Sequence, residues 1–134
     1  MQPNVLTFAV DEENDGIDLA DHVFTRFEEF QNRAMYISAD HTLVAKDTFG
    51  MYRTLPKSNG NFKGVAKTSI KFSKDIQVDG LDGVSKITAP IIMEVSVSLP
   101  VGTTPETAMI MRQRVISALD RDDVMVPLME QLMV

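Results

Sequence analysis

The clearest pattern in the chain is a strict alternation of polar and apolar side chains between residues 65 and 78. Successive side chains of an extended strand point to opposite faces, so residues two apart share a face. Polar side chains occupy one parity of this run, namely Lys67, Ser69, Lys71 and Ser73, and the other parity carries Thr68, Ile70 and Phe72. The alternation predicts a strand with one solvated face and one buried face.

Further strands are predicted on both sides of this run. Residues 85–100 repeat the alternation, and residues 4–10 and 48–55 are shorter β-favouring runs, followed at 11–16 and 56–64 by segments typical of turns. Residues 17–33 remain open between helix and strand, because Phe24, Phe27 and Phe30 recur every three residues beside a strand-like segment. The short loops leave no room for crossover helices, so the sheet is expected to be antiparallel.

The pattern changes to helical periodicity after residue 103. Thr104 is placed to cap a helix, Pro105 suits its first position, and Glu106 favours the positive end of the helix dipole. The apolar residues that follow recur at helical spacing: Ala108, Met111, Val115 and Leu119. This pattern predicts an amphipathic helix that can cover one face of the sheet.

A second, shorter helix is expected after residues 120–123. Asp122 or Asp123 is a candidate cap, and Pro127 is tolerable only near the first turn of that helix. Its apolar residues leave almost no polar side, so a partner chain is a more natural cover than one sheet face, although an intramolecular core remains the alternative. The predicted dimer interface consists of Met111, Val115, Leu119, Leu128, Met129 and Leu132.

Composition fits this α+β interpretation. The chain has 134 residues, of which 44% are hydrophobic and 24% charged, and this size suits a single domain. We expect one domain over residues 1–134, with hairpin and sheet mainly in 1–99 and two helices in 104–133. There is no Cys, so packing and association must supply the stability. No secretion signal or membrane span is indicated.

Charge is segregated along the chain. The net charge is −6, which argues against a nucleic-acid partner when it is taken alone. Residues 41–74, however, carry seven bases and one acid, whereas residues 1–40 carry nine acids and two bases. The segment 41–74 is therefore able to form a cationic surface. The alternative is a solvated strand face whose lysines prevent edge pairing.

The sequence offers little support for catalysis or metal binding. Asp11, Glu13, Asp15 and Gly16 match part of a calcium-loop pattern, but His22 stands where the final Glu belongs. His22 and His41 have no metal-ligand spacing, and paired carboxylates cannot be placed in a pocket. We therefore expect no enzyme activity, no cofactor and no metal site.

Two passages carry a resemblance to a known family. KTSIK (67–71) is similar to the RNA-facing strand of the coat proteins of single-stranded RNA bacteriophages, and MEVSVSLPVGTTPE (93–106) resembles their passage from the final strand into the first helix. The order of hairpin, strands and two helices extends this likeness over nearly the whole chain. The resemblance implies intertwined dimers with a continuous sheet, which pack into a T=3 icosahedral shell around genomic RNA.

The resemblance also implies site residues and a second role. Lys67, Ser69 and Lys71 correspond to an RNA-contacting set, which Lys63 extends, while Tyr52 and Thr54 or, on the opposite parity, Arg53 join from the preceding strand. A dimer of such a protein also represses translation by binding an RNA hairpin, and the subunit resides in a virion assembled in the bacterial cytoplasm. The alternative function is a small dimeric RNA-binding regulator that forms no shell.

Overall fold

The computed structural model describes residues 2–134 and contains an antiparallel sheet followed by two helices. The six strands neighbour one another in chain order. Antiparallel pairs join the first strand to the second, the second to the third, the third to the fourth and the fourth to the fifth. The elements are β1 (Val5–Val10), β2 (Ala20–Phe30), β3 (Arg33–Ser38), β4 (Asp47–Thr54), β5 (Val65–Asp79), β6 (Lys86–Pro100), α1 (Pro105–Leu119) and α2 (Asp122–Gln131). The predicted fold class is confirmed, and the undecided segment 17–33 contains strand β2.

Aromatic side chains form the core of the sheet. Phe24, Tyr36 and Phe49 are buried, and they lie on neighbouring strands β2, β3 and β4. The Phe8 ring meets Phe49 edge-on with centroids 5.2 Å apart, and the Tyr36 hydroxyl donates a hydrogen bond to the Pro3 carbonyl oxygen at 2.8 Å. Because a buried phenol needs a hydrogen-bond partner, this contact fixes the N-terminal segment against β3.

A β-bulge in β2 explains why the spacing of its phenylalanines does not predict the face on which each ring lies. The register between β2 and β3 shifts between Arg26 and Glu28, which leaves Phe27 as the extra residue. One inserted residue reverses the faces on which the following side chains lie. Phe24 therefore faces the core, whereas Phe30, which has the same parity in the sequence, pairs with Arg33 on the opposite face.

The chain divides into two compact units. The first unit contains residues up to Leu55 and residues Ala66–Ser98, and the second contains Pro56–Val65 and Leu99–Val134. The first unit carries most of the sheet and its aromatic core. The second carries both helices, and neither helix contains a buried residue. Organisation as a single domain, and the cover of the sheet by helices, stay predictions.

The start of α1 is confirmed in detail. The Thr104 hydroxyl accepts a hydrogen bond from the Thr107 backbone N–H at 3.3 Å, Pro105 opens the helix, and Glu106 lies in its first turn. No helix within residues 2–134 combines the length and the apolar character needed to span a membrane.

The expectations for the start of α2 were wrong. The cap is Arg121 in an extended conformation, and it makes no side-chain capping bond; Asp122 and Asp123 already lie in the first turn. Asp123 does not act as the cap because its carboxylate accepts a hydrogen bond from Arg121 Nε at 2.9 Å. Pro127 lies inside the helix, beyond the first turn. The helix continues past it with one backbone donor fewer, since proline has no N–H.

Candidate nucleic-acid interface

The pairing of β4 with β5 decides which predicted residues share a face. Tyr52 lies opposite Ser69, and Thr54 lies opposite Lys67. Directly opposed residues of an antiparallel pair project from the same face, with Cβ atoms roughly 5 Å apart. The structure therefore brings together Tyr52, Thr54, Lys67 and Ser69, with Lys71 two residues further along β5. We call this surface, defined by these five residues, the polar face.

Arg53 belongs to the opposite face, where it pairs with Thr68. Its guanidinium Nη2 donates to the Gln31 carbonyl oxygen at 2.6 Å, and its backbone N–H donates to the Asn32 carbonyl oxygen at 3.0 Å. Both contacts tie β4 to the turn between β2 and β3. No bulge interrupts β4, so Arg53 alternates to the face opposite Tyr52, and it also lines two grooves that include Tyr52 and Thr54.

The polar face has the chemistry of a phosphate-binding surface. Lys67 is exposed, whereas Ser69 and Lys71 are half-buried. A shallow groove of about 150 Å³ is lined by Thr54, Lys67 and Ser69 together with Ser96 and Ser98 from β6. Ammonium groups and hydroxyls are the side-chain donors that commonly contact phosphate oxygens. No ion pair in residues 2–134 engages Lys67 or Lys71.

Gly50 determines how Tyr52 lies on this face. A Cβ atom added at Gly50 would stand 2.7 Å from the Tyr52 hydroxyl oxygen and 2.9 Å from its ring, so the ring lies across the glycine. The hydroxyl donates to the Met35 sulfur at 3.4 Å. Sequence analysis missed Gly50, although glycine within a strand often marks a close approach of another group.

Arg33 and Phe30 extend the same face beyond β4. Arg33 lies opposite Tyr52 across the β3–β4 pair and opposite Phe30 across the β2–β3 pair. The polar face therefore continues as a cross-strand row of four side chains, Phe30, Arg33, Tyr52 and Ser69. No local pattern predicts the first two residues, because the bulge at Phe27 changes the face on which Phe30 lies.

Lys63 and the predicted interface residues lie in the second unit. Lys63 is an exposed residue of the loop between β4 and β5. The six apolar residues of the predicted dimer interface are all exposed in the single chain, by 40 to 85%: Met111, Val115, Leu119, Leu128, Met129 and Leu132. Apolar exposure of this extent is typical of surfaces that bind another protein. The interface itself remains a prediction.

In the loop between β1 and β2, carboxylates accept hydrogen bonds from the backbone of the loop itself. Asp11 accepts hydrogen bonds from the backbone N–H groups of Asp15 at 3.2 Å and Gly16 at 2.8 Å. Asp15 in turn accepts from the Ile17 N–H at 2.9 Å, and this bond is the main cause that lowers its pKa. Within residues 2–134, no three or more His, Asp or Glu side chains are arranged so that they could hold a metal ion.

The histidines have local partners. His22 Nε2 lies 3.0 Å from a Glu12 carboxylate oxygen, and both side chains are exposed. His41 Nδ1 accepts a hydrogen bond from the Asp47 backbone N–H at 3.1 Å. These contacts give His22 a surface role and His41 a role at the start of β4.

Solved structures of similar fold come from viral particles. The chain matches a virus-like particle of bacteriophage AVE019 with a TM-score of 0.77 and 17% identity, over 97% of this chain and 96% of that one. It matches a virus-like particle of Beihai levi-like virus 32 with a TM-score of 0.69 and 23% identity, over 84% and 88%. The bacteriophage EMS014 coat protein matches with a TM-score of 0.59 and 10% identity, over 89% and 74%.

No protein-family model matches the chain, and no curated protein matches it. The similarity therefore lies in the fold. The chain has the fold of subunits found in levi-like virus-like particles, and its helices follow the sheet in the same order.

Proposed function

We propose that this chain is the coat protein of a small single-stranded RNA bacteriophage, with a structural and not an enzymatic role. The observation that carries the proposal is the match of 97% of the chain to a subunit of a virus-like particle. The protein would reside in the virion and assemble in the cytoplasm of the bacterial host.

Exposed apolar surface on both helices supports dimerisation as the first step of assembly. Val115 and Leu119 of α1 are 40% and 52% exposed, and Leu128 of α2 is 41% exposed. Burying such side chains contributes about 25 cal/mol per Å² of apolar surface removed from water. A second copy of the chain provides that burial, and the resemblance to RNA phage coat proteins gives it the form of helices interlocking between two subunits.

The polar face supports RNA as the enclosed partner. Lys67 and Lys71 repeat in every subunit, so a closed shell presents many cations to one nucleic-acid molecule, even though each chain carries a net charge of −6. By the same resemblance, dimers pack into a T=3 icosahedral shell around the genome. A dimer would also bind an RNA hairpin and repress translation.

Electron microscopy of the purified recombinant protein tests this function. We expect closed particles of uniform size that protect RNA from added nuclease, and native mass spectrometry gives the number of subunits. Leu119→Asp should abolish dimers and particles, because it places a charge in the proposed interface. Gln113→Asp, a change at an exposed polar position of α1, is the matched control.

Two outcomes would contradict the proposal. Stable dimers that bind RNA and never form particles would favour the small RNA-binding regulator instead. A folded monomer at all concentrations would exclude both functions, since each requires two copies of the chain.

A further inference from the structure

The row of side chains that continues the polar face has an unusual composition. Phe30, Arg33 and Tyr52 lie on three neighbouring strands as directly opposed pairs. They alternate aromatic, guanidinium and aromatic groups. Tyr52 in turn lies opposite Ser69, a hydroxyl residue of the polar face.

The two aromatic residues of the row remain accessible. The Phe30 side chain is 56% exposed, although a phenylalanine of a folded sheet gains stability from burial. Phe30 and Tyr52 both line a second groove, of about 500 Å³, together with Arg33, Arg53 and Thr54. This groove therefore presents aromatic rings and a cation at the end of the polar face.

The geometry of Arg33 favours stacking. Its guanidinium carbon lies 4.6 Å from the centroid of the Phe30 ring, and one Nη atom lies 2.9 Å from a Glu28 carboxylate oxygen. The contact with the ring and the ion pair hold the planar guanidinium in one orientation. Because Glu28 offsets part of the positive charge, the planar surface of Arg33 distinguishes it from the lysines of β5.

Tyr52 is oriented by its own neighbour. Gly50 admits the ring across the strand, and the hydroxyl is held by Met35 at 3.4 Å. A ring fixed at one position loses little conformational freedom when a flat ligand stacks on it. Gly50 is thus a positioning residue for Tyr52.

We propose that Phe30, Arg33 and Tyr52 form a stacking platform for unpaired bases of single-stranded RNA. Aromatic rings and arginine planes are the groups on which splayed bases stack, and Lys67, Ser69 and Lys71 beside them contact the phosphates. This inference rests on the proposed function, because it assigns to base recognition a part of the surface that the coat-protein interpretation assigns to RNA.

Binding of short RNA to the full-length protein freed of nucleic acid tests the platform. The probes are a fluorescein-labelled oligouridine and an abasic oligomer of equal length, which has the same phosphates and no bases. Phe30→Leu should weaken oligouridine binding by about tenfold, within the range for loss of one stacked base. Binding of the abasic oligomer should stay within twofold of the unsubstituted protein.

Matched variants separate stacking from charge and from folding. Arg33→Lys keeps the positive charge and loses the planar guanidinium, so it should also weaken only the base-containing probe. Phe30→Tyr keeps a ring and should bind like the unsubstituted protein. Phe62→Leu, in the loop between β4 and β5 and 52% exposed, should change neither affinity.

Particle formation is followed in parallel by electron microscopy. Equal losses for both probes would overturn the platform, because they would show that only charge at Arg33 matters. Normal oligouridine binding by Phe30→Leu combined with failure to form particles would also overturn it, and would identify this groove as a contact between subunits. If the unsubstituted protein binds oligouridine better than the abasic probe yet forms no shell, the platform stands and the proposed coat function fails.

Discussion

The four N-terminal strands bury an aromatic cluster, whereas the two C-terminal helices bury none of their apolar residues. In β1–β4 the rings of Phe24, Tyr36 and Phe49 are buried, and Phe8 packs edge-on against two of them. In α1 and α2 no residue is buried, although both helices are rich in apolar side chains. The strands have a core of their own, whereas the helices keep apolar surface that the proposed dimer would cover.

The difference predicts that the aromatic cluster is stable within one chain and that the helical region depends on association. Within residues 2–134 only three hydrophobic side chains are buried, which is a small core, because larger domains normally bury a greater share of their surface. Apolar side chains left exposed on a helix gain their stabilisation only when a partner covers them. Folding of the helical region is therefore expected to depend on protein concentration, in contrast to packing of the aromatic cluster.

The largest effect is expected from removing α2. Deletion of residues 124–134 should leave aggregated or unfolded protein, because α1 would lose its neighbour and the proposed interface would lose Leu128, Met129 and Leu132. Deletion of Val134 alone, beyond the end of α2, is the control. Light scattering and circular dichroism report association and helix content. A folded, soluble monomer lacking 124–134 would break the comparison.

Loss of an aromatic ring from the core comes next. Phe49→Ala should lower the free energy of unfolding by about 3–5 kcal/mol, since Phe49 is 3% exposed and lies against Phe8, Phe24 and Phe72. Phe27→Ala removes an equal ring at 53% exposure and should cost less than about 1 kcal/mol. Urea titrations of both variants measure this difference. Equal losses would mean that the aromatic cluster is not the stabilising core.

The two regions should also differ in RNA binding. Lys67→Ala with Lys71→Ala removes two cations of the polar face, so RNA affinity should fall and the log–log salt slope should lose about one unit per lost phosphate contact. Arg112→Ala with Arg114→Ala removes the same charge from exposed positions of α1 and should leave the slope nearly unchanged. Filter binding across a salt series compares them. Equal changes would show that net charge alone governs RNA binding.

The smallest effect concerns the turn between β5 and β6, which is held by local bonds. Asp82 accepts hydrogen bonds from the backbone N–H groups of Ser85 and Val84, both at 2.9 Å, and these bonds lower its pKa to about 2. The folded turn therefore favours the ionised carboxylate, whose pKa lies below the ordinary value of 3.8. This contribution is present above about pH 4 and is lost as the pH falls through about 2.

An NMR titration of the Asp82 side chain should give a midpoint near 2, with the Val84 and Ser85 amide signals moving together with it. Asp82→Asn removes the titration while keeping an acceptor oxygen, so those amides should lose their pH dependence. A midpoint near the ordinary value would show that the turn is not held by Asp82.

The fold class is predictable from the sequence because most of its strands and helices carry local signals. The alternation in residues 65–78 predicted β5, and the cap at Thr104 with Pro105 predicted the start of α1. It failed at α2, where the ion pair between Arg121 and Asp123 replaces the expected cap. Pro127 shows that a helix with favourable residues around it continues past one missing hydrogen bond.

The candidate site divides in the same way. The polar series on β5 follows from parity alone, because an uninterrupted strand has a strict period of two. The choice between Tyr52 and Arg53 needed the register of β4 against β5, which depends on the whole hairpin. Phe30 and Arg33 joined the surface only through the bulge at Phe27, which no local pattern revealed.

The sequence by itself determined the alternating strands, the capped first helix and the cationic segment 41–74, because propensity, capping and charge act between near neighbours. Only the tertiary structure decided the cross-strand row of Phe30, Arg33, Tyr52 and Ser69, and the position of the Tyr52 ring over Gly50. Register and bulges place residues distant in the chain side by side, and the packing of a whole sheet selects them.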